Sequence, residues 1–286
     1  LLAWFRRFGH TPVILLGGAT TKIGDPSGKS VERPFLDIET LNYNTRSIEK
    51  QIRGCFNGDG KEPLFFDNNE WLGEFRFIDM LRDVGKHFRM GSMLGKESVK
   101  ARLNSETGMS FTEFSYQMLQ GYDFYHLFKE HGVDVQMGGS DQWGNITAGT
   151  ELTRKLTNKS VFGLTYPLLT KSDGSKFGKS EEGAIWLDPK KTSPYQFYQF
   201  FLNTSDKDVM KVMRMLTFIE LEEIRSFEEA FKSGNFTPYE AQKRLAYEVT
   251  LFVHGEEGVK TALRVTEAAA PGSSASLDPL VLEEIA

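Results

Sequence analysis

The sequence predicts an α/β fold, a doubly wound parallel sheet, followed by an all-α domain. Three observations carry that expectation. First, the short continuous apolar run TPVILLGG (11–18) ends in a glycine pair, the form of a strand buried on both faces, and KEPLFFDN (61–68) and VDVQMGG (133–139) read as further strands. Second, helical patterns separate these runs: EFRFIDMLRDVGKHF (74–88) and FTEFSYQMLQGYDFYHLFKEHG (111–132). Third, the strand signals stop after about residue 192. From there SPYQFYQFFLNTSDKDVMKVMRMLTFIELEEIRSFEEAF and TPYEAQKRLAYEVTLFVHG are helical throughout.

Each element has a local reason. LLAWFRRFGH has the pattern of the latter half of an amphipathic helix that stops at Gly9. Alternating helix and strand beyond it imply a parallel sheet, whose ligands lie at the carboxyl ends of the strands, and Gly17-Gly18 and Gly138-Gly139 fall at such ends. Ser140 or Asp141 caps the helix NITAGTELTRKL, with Trp143 as a core plug. Ser193, Ser205 and Thr237 stand as caps before the later helices, and AAAPGSSASLDP (268–279) has linker composition. The expected domains are therefore 1–192, α/β, and 193–286, helical, ending in a linker.

Composition narrows the function. With 286 residues, 40% of them hydrophobic, the chain can bury a sizeable core. A net charge of −5 offers no global basic field, so an anionic partner must be met by local Lys and Arg clusters. One cysteine, Cys55, excludes a disulfide framework within the chain and a Cys-rich metal site, and points to a reducing compartment. His126 and His131 are five apart, not at helical ligand spacing, so they read as structural or surface residues. No apolar stretch approaches the roughly 18–20 residues that span a bilayer.

Four stretches carry chemistry. IGDPSGKS (23–30) looks like a phosphate-binding loop, but three residues, not four, separate Gly24 from Gly28, and one is a proline without an N–H. In the helix 111–128, Tyr116, Gln120 and Asp123 fall at i, i+4 and i+7, on one face. That stripe either faces water or lines a buried pocket that needs a polar ligand; the pattern leaves the two readings level. In QMGGSDQWGN (136–145) the glycines either make a plain strand-to-helix turn or let a ligand approach the backbone, again on equal terms. TKSDGSKFGKS (170–180) is a loop of a commonly solvated type, yet its Lys176 and Lys179, on glycine hinges, can close over a polyphosphate.

In order, GGATTKIGDPSGKSVER, YQMLQGYDF, QMGGSDQWGN and KFGKS resemble the catalytic core of bacterial-type tyrosyl-tRNA synthetases, class I aminoacyl-tRNA synthetases. The likeness continues through DVGKHFRMGSMLGKESVKARL, KTSPYQFYQFFLNT and RLAYEVTLFVHGEEG, nearly the whole chain. It implies a Rossmann-like catalytic domain, with KFGKS (176–180) as the form of the KMSKS loop, and then a helical anticodon-side domain. By resemblance, Asp25, Tyr116 and Gln120 hold the ammonium of L-tyrosine, Asp123 its phenolic hydroxyl and Gln142 its carboxylate, with Gln136 supporting the pocket. Gly139 and Asp141 bind the ATP ribose, Leu168 and Leu169 lie near the adenine, and Lys29, Arg33, Lys176 and Lys179 meet the phosphates.

The implied activity is tyrosine–tRNA ligation, with ATP and Mg²⁺ as co-substrate, no bound organic cofactor and no structural metal. The implied partners are L-tyrosine, ATP, tRNA(Tyr) and a second copy through the region around Phe111 and HFRMGSML, without a membrane. The setting is bacterial cytoplasm, mitochondrion or chloroplast. A rival reading is a synthetase-derived RNA-binding or splicing protein. The family's upstream histidine motif and pocket tyrosine, and its C-terminal RNA-binding domain, are not among these residues, so the 286 residues alone are expected to be catalytically impaired and to hold tRNA poorly. Thr21 stands where the family often has glycine.

Overall fold

A computed structural model describes residues 1–27, 36–56, 58, 60–106, 108–172, 174, 177–180 and 183–270. It divides into two units, one made of His10–Lys50 and Lys61–Leu168, the other of Leu1–Gly9, Gln51–Gly60 and the chain from Leu169 onward. The α/β expectation holds in the first. Strand β1 (Val13–Leu16) pairs in parallel with β2 (Leu64–Asp67), in the register Val13 to Leu64 and Leu16 to Asp67. The helix α2 (Ile38–Gly54) lies between them in sequence, preceded by a 3₁₀ turn, Thr20–Lys22. A second parallel pair joins β3 (Val135–Gly139) to β4 (Phe162–Tyr166) through α8 (Trp143–Thr157). Strand β4 is absent from the sequence expectation: FGLTY alternates between exposed and half-buried positions and lacks the continuous apolar run of a doubly buried strand.

The stretch 74–88 is not one helix. A turn, α4 (Phe77–Asp79), follows α3 (Asn69–Leu72), then a π turn over Met80–Val84 and a 3₁₀ turn over Gly85–His87. Two further short helices, α5 (Met90–Leu94) and α6 (Glu97–Leu103), lead to α7 (Phe111–His131). The start of α7 is fixed by a capping box, Ser110 Oγ accepting from Glu113 N while Glu113 reaches back to Ser110 N. Glu113 also pairs with Arg102 at 2.6 Å, both side chains buried. Gly132, at φ 68°, ends the helix in the left-handed conformation that glycine adopts without strain.

Helices α7 and α8 cross where glycine allows it. A Cβ on Gly149 would sit 2.8 Å from Phe124 Cβ, so only hydrogen lets the buried Phe124 ring pass. Burying such a ring contributes about 1.5–3 kcal/mol.

The other unit contains α1 (Leu2–Arg7) and, after the antiparallel pair β5 (Lys179–Ser180) and β6 (Gly183–Ala184), the helices α9 (Pro194–Leu202), α10 (Asp206–Leu216), α11 (Leu221–Ser233) and α12 (Glu240–Ala268), the last kinked at Gly255. Phe197, Val212, Met213, Leu245 and Val249 make its core. Ser193 caps α9 through a capping box, with Pro194 in the first turn. Ser205 precedes α10 but donates to Asp208 instead of capping the backbone. Thr237 is not a cap, because α12 starts at Glu240 after Tyr239, at φ 62°. Among the described residues no helix is long and apolar enough to cross a membrane.

Candidate active site

Polar side chains gather at the carboxyl ends of β1, β2 and β3, where an α/β sheet places its ligands. Just past β2, fully buried Asn68 divides its amide among three neighbours. Its Oδ1 accepts from the backbone N–H of Ala19 at 2.8 Å and of Thr20 at 3.4 Å. Its Nδ2 donates to Thr20 Oγ1 and to Asp123 Oδ2, both at 2.9 Å. The second oxygen of Asp123 accepts from Trp71 Nε1 at 2.7 Å. That indole stacks on His126, one turn further along α7, with ring centroids 4.2 Å apart.

Asp123 is 2% exposed, so the water-facing reading of its helical stripe fails there. Burial raises its carboxyl pKa from 3.8 to about 7; hydrogen bonds from Asn68 and Trp71 oppose the rise, and the nearby charge of Asp67 adds to it. No cation compensates among the groups that touch it, which suits a neutral donor arriving as ligand. Tyr116 and Gln120 continue the same face, half-buried.

A second cluster forms around Asp25. Its Oδ1 accepts from the backbone N–H of Ser27 at 2.9 Å, closing a turn across Pro26. Its Oδ2 accepts from Gln142 Nε2 at 2.7 Å. Asn145 Nδ2 spans Asp25, Ser27 Oγ and Gln142 Oε1 at 3.3–3.4 Å. The loop before residue 28 is thereby tied to the start of α8, and Asp25 and Gln142, far apart in sequence, stand side by side.

A third group surrounds Gly139. A Cβ there would lie 2.6 Å from Asp141 Oδ1 and 2.9 Å from Leu168 Cδ2, so a side chain would push the ends of both aside, a matter of close approach and not of its φ of −63°. Leu168 itself is half exposed. Leu169 belongs to the other unit, where it packs on the helical core. Gln136 sits on β3 with its Oε1 buried and without a hydrogen-bond partner among the described residues. Lys29, Arg33 and Lys176 lie outside the described residues, and Lys179 is described only in its backbone, opposite Ala184.

Two local expectations are corrected. Ser140–Gln142 form a 3₁₀ turn, and α8 begins only at Trp143, after Gln142, with no side-chain cap, so neither Ser140 nor Asp141 caps it. Trp143 is 52% exposed and is no core plug, because the first turn of α8 holds it at the surface. Sequence reasoning also missed Asn68, Trp71, Thr20, Ser27 and Asn145. A signal existed for the first two: DNNEW follows a strand directly, and polar amides at a strand's carboxyl end are placed to bind.

The fold is that of a class I aminoacyl-tRNA synthetase. The sequence model of the tRNA synthetases class I (W and Y) matches residues 1–269, and the chain belongs to that family. Within it, the chain is 57% identical over 287 residues to the tyrosine–tRNA ligase of Protochlamydia amoebophila, covering all of this chain and 68% of that protein. It is 52% identical to the chloroplastic/mitochondrial tyrosine–tRNA ligase of Arabidopsis thaliana, across 100% of this chain but only 57% of that one. Among solved structures, a C-terminally truncated mitochondrial tyrosyl-tRNA synthetase of Aspergillus nidulans superposes with a TM-score of 0.79 at 32% identity, over 91% of this chain and 77% of that one. The chain thus spans between somewhat over half and about two thirds of the length of these curated relatives.

Proposed function

We propose that the chain is the catalytic and helical portion of a tyrosine–tRNA ligase, which activates L-tyrosine with ATP and passes it to the terminal adenosine of tRNA(Tyr). The observation that carries this is Asp123: a buried carboxylate, met only by the neutral donors of Asn68 and Trp71, on the helical face that also bears Tyr116 and Gln120. A phenolic hydroxyl donating to it completes the site. Phenylalanine would bury the acid without that third donor, a penalty for which tyrosine-selecting synthetases are themselves the standard illustration.

The chemistry asks little of general bases. The tyrosine carboxylate is already a nucleophile; its oxygen attacks the α-phosphorus of ATP, the bond to the β-phosphate oxygen breaks, and pyrophosphate leaves with its electrons. Asp25, Tyr116 and Gln120 would hold the ammonium, Gln142 would orient the carboxylate, and Gln136 would back the pocket. Gly139, whose missing side chain leaves room beside Asp141, would let the ribose reach that carboxylate, with Leu168 and Leu169 toward the adenine. Lys29, Arg33, Lys176 and Lys179 would neutralise the phosphates. Mg²⁺ would be carried on the ATP phosphates. In the second step the ribose hydroxyl of tRNA attacks the acyl carbon, releasing AMP.

A homodimer is proposed through the surface around Phe111, which is 67% exposed in the first turn of α7, with Met90 exposed in the HFRMGSML segment. We place the boundary between the catalytic and helical domains near residue 192, as the change of sequence pattern suggests, and the relatives support a bacterial or organellar setting. The test is tyrosine-dependent exchange of pyrophosphate into ATP by the full-length protein. Exchange is expected with tyrosine and not with phenylalanine; no exchange, with RNA binding intact, would overturn the ligase reading in favour of an RNA-binding descendant.

A further inference from the structure

The glycine pair after β1 suggests room for a ligand, but at Gly18 the room is taken. A Cβ there would lie 2.2 Å from Asp67 Oδ1 and 2.5 Å from Oδ2. That carboxylate, at the end of β2, accepts from the backbone N–H of Gly18 at 3.0 Å and of Asn69 at 2.8 Å. It therefore clamps the turn after β1 onto the segment after β2, one residue away on either side from the hydrogen bonds that Asn68 makes to Ala19 and Asp123.

We propose that Asp67 is a positioning residue for the subsite of the substrate hydroxyl: by holding Gly18 and Asn69 it sets the Asn68 amide, and through Asn68 the carboxylate of Asp123. The proposal rests on the reading of Asp123 as the phenol acceptor. It also explains why a carboxylate serves where an amide oxygen would accept the same two bonds. Asp67 adds like charge beside a buried acid, favouring its protonated form until a ligand donor arrives. Among the described residues, Tyr122, beside it on α7, feels the charge of Asp123, and His126 stacks on the Trp71 indole that donates to it.

The experiment measures pyrophosphate exchange by the full-length protein with Asp67→Ala, Asp67→Asn and Gly18→Ala. Asp67→Ala is expected to raise the KM for tyrosine about tenfold while kcat and the KM for ATP stay within about twofold. Gly18→Ala, which displaces the carboxylate, should do the same, and the double variant should be no worse than either single one. Asp67→Asn keeps an acceptor oxygen and should restore the KM, yet move the pH below which tyrosine binds poorly to a lower value. Tyrosine KM and pH profile unchanged in Asp67→Ala, or tyrosine and ATP KM rising together with a fall in Tm, would overturn the proposal. Asp123→Ala serves as the control: if it leaves the tyrosine KM and the rejection of phenylalanine untouched, the reading of Asp123 itself is at fault.

Discussion

Asp123 and Asp25 are both carboxylates held by side-chain amides at the ends of parallel strands, yet one is sealed and the other open. Asp123 has one neutral donor on each oxygen and almost no exposure. Asp25 is half-buried, shares a looser network with Gln142 and Asn145, and is fixed by its own backbone turn at Ser27. On the proposed reading, the difference teaches how two carboxylates of one site could meet two ends of one ligand. A sealed acid discriminates, because no water can stand in for a missing ligand donor; an open acid attracts a cation, because water can replace the cation in its absence.

The largest expected effect separates the two by pH. Asp123 holds its proton to about pH 7 in the folded protein and to about 3.8 when unfolded, so over that interval the native state binds more protons and stability falls as pH rises. The shift amounts to on the order of 4 kcal/mol between pH 4 and 7.5. Urea denaturation of wild type and Asp123→Ala across that range should show a difference that changes by this order; parallel curves would break the comparison. Tyrosine adds a third donor to the ionised form, so its affinity should rise as pH rises through about 7, with proton release measurable by calorimetry in buffers of different ionisation heat.

Asp25→Ala is expected to act on ligand rather than fold. Loss of one charge-assisted contact should lower kcat/KM for tyrosine about 100-fold in pyrophosphate exchange. Stability should stay within about 0.5 kcal/mol, since the group is partly exposed. A drop in Tm as large as that of a core substitution would mean that Asp25 is as sealed as Asp123.

How far the sequence carries this contrast depends on the residue. The face of α7 is legible because the positions of Tyr116, Gln120 and Asp123 follow from helical period alone, and the four ordered motif blocks carry the family. Which of the three is buried is not legible, because that depends on Asn68 and Trp71, brought in from the end of another strand. β4 escapes because a strand with one exposed face lacks the continuous apolar run that marks β1. The cap before α8 is misread because a Ser-Asp pair satisfies the local pattern equally in a 3₁₀ turn, and only packing decides where the α-helix starts. Asn145 lies inside a recognisable motif and still escapes, since its three partners converge only after Asp25 folds back onto α8.

Asn145 also supplies the smallest and sharpest test. Its contacts to Asp25, Ser27 and Gln142 are all 3.3–3.4 Å, long for hydrogen bonds, and are shared by one amide nitrogen with only two hydrogens. At least one of the three is therefore always weak, and Asp25 keeps both the Ser27 N–H and Gln142 when Asn145 is gone. Asn145→Ala should raise the KM for tyrosine only about two- to threefold. Gln142→Ala, which removes a 2.7 Å bond as well as the proposed carboxylate contact, should cost several times more. If instead Asn145→Ala costs as much as Asp25→Ala, the network acts as a closed unit, and the open carboxylate must be redrawn as a second sealed one, organised through α8 as Asp123 is organised through β2.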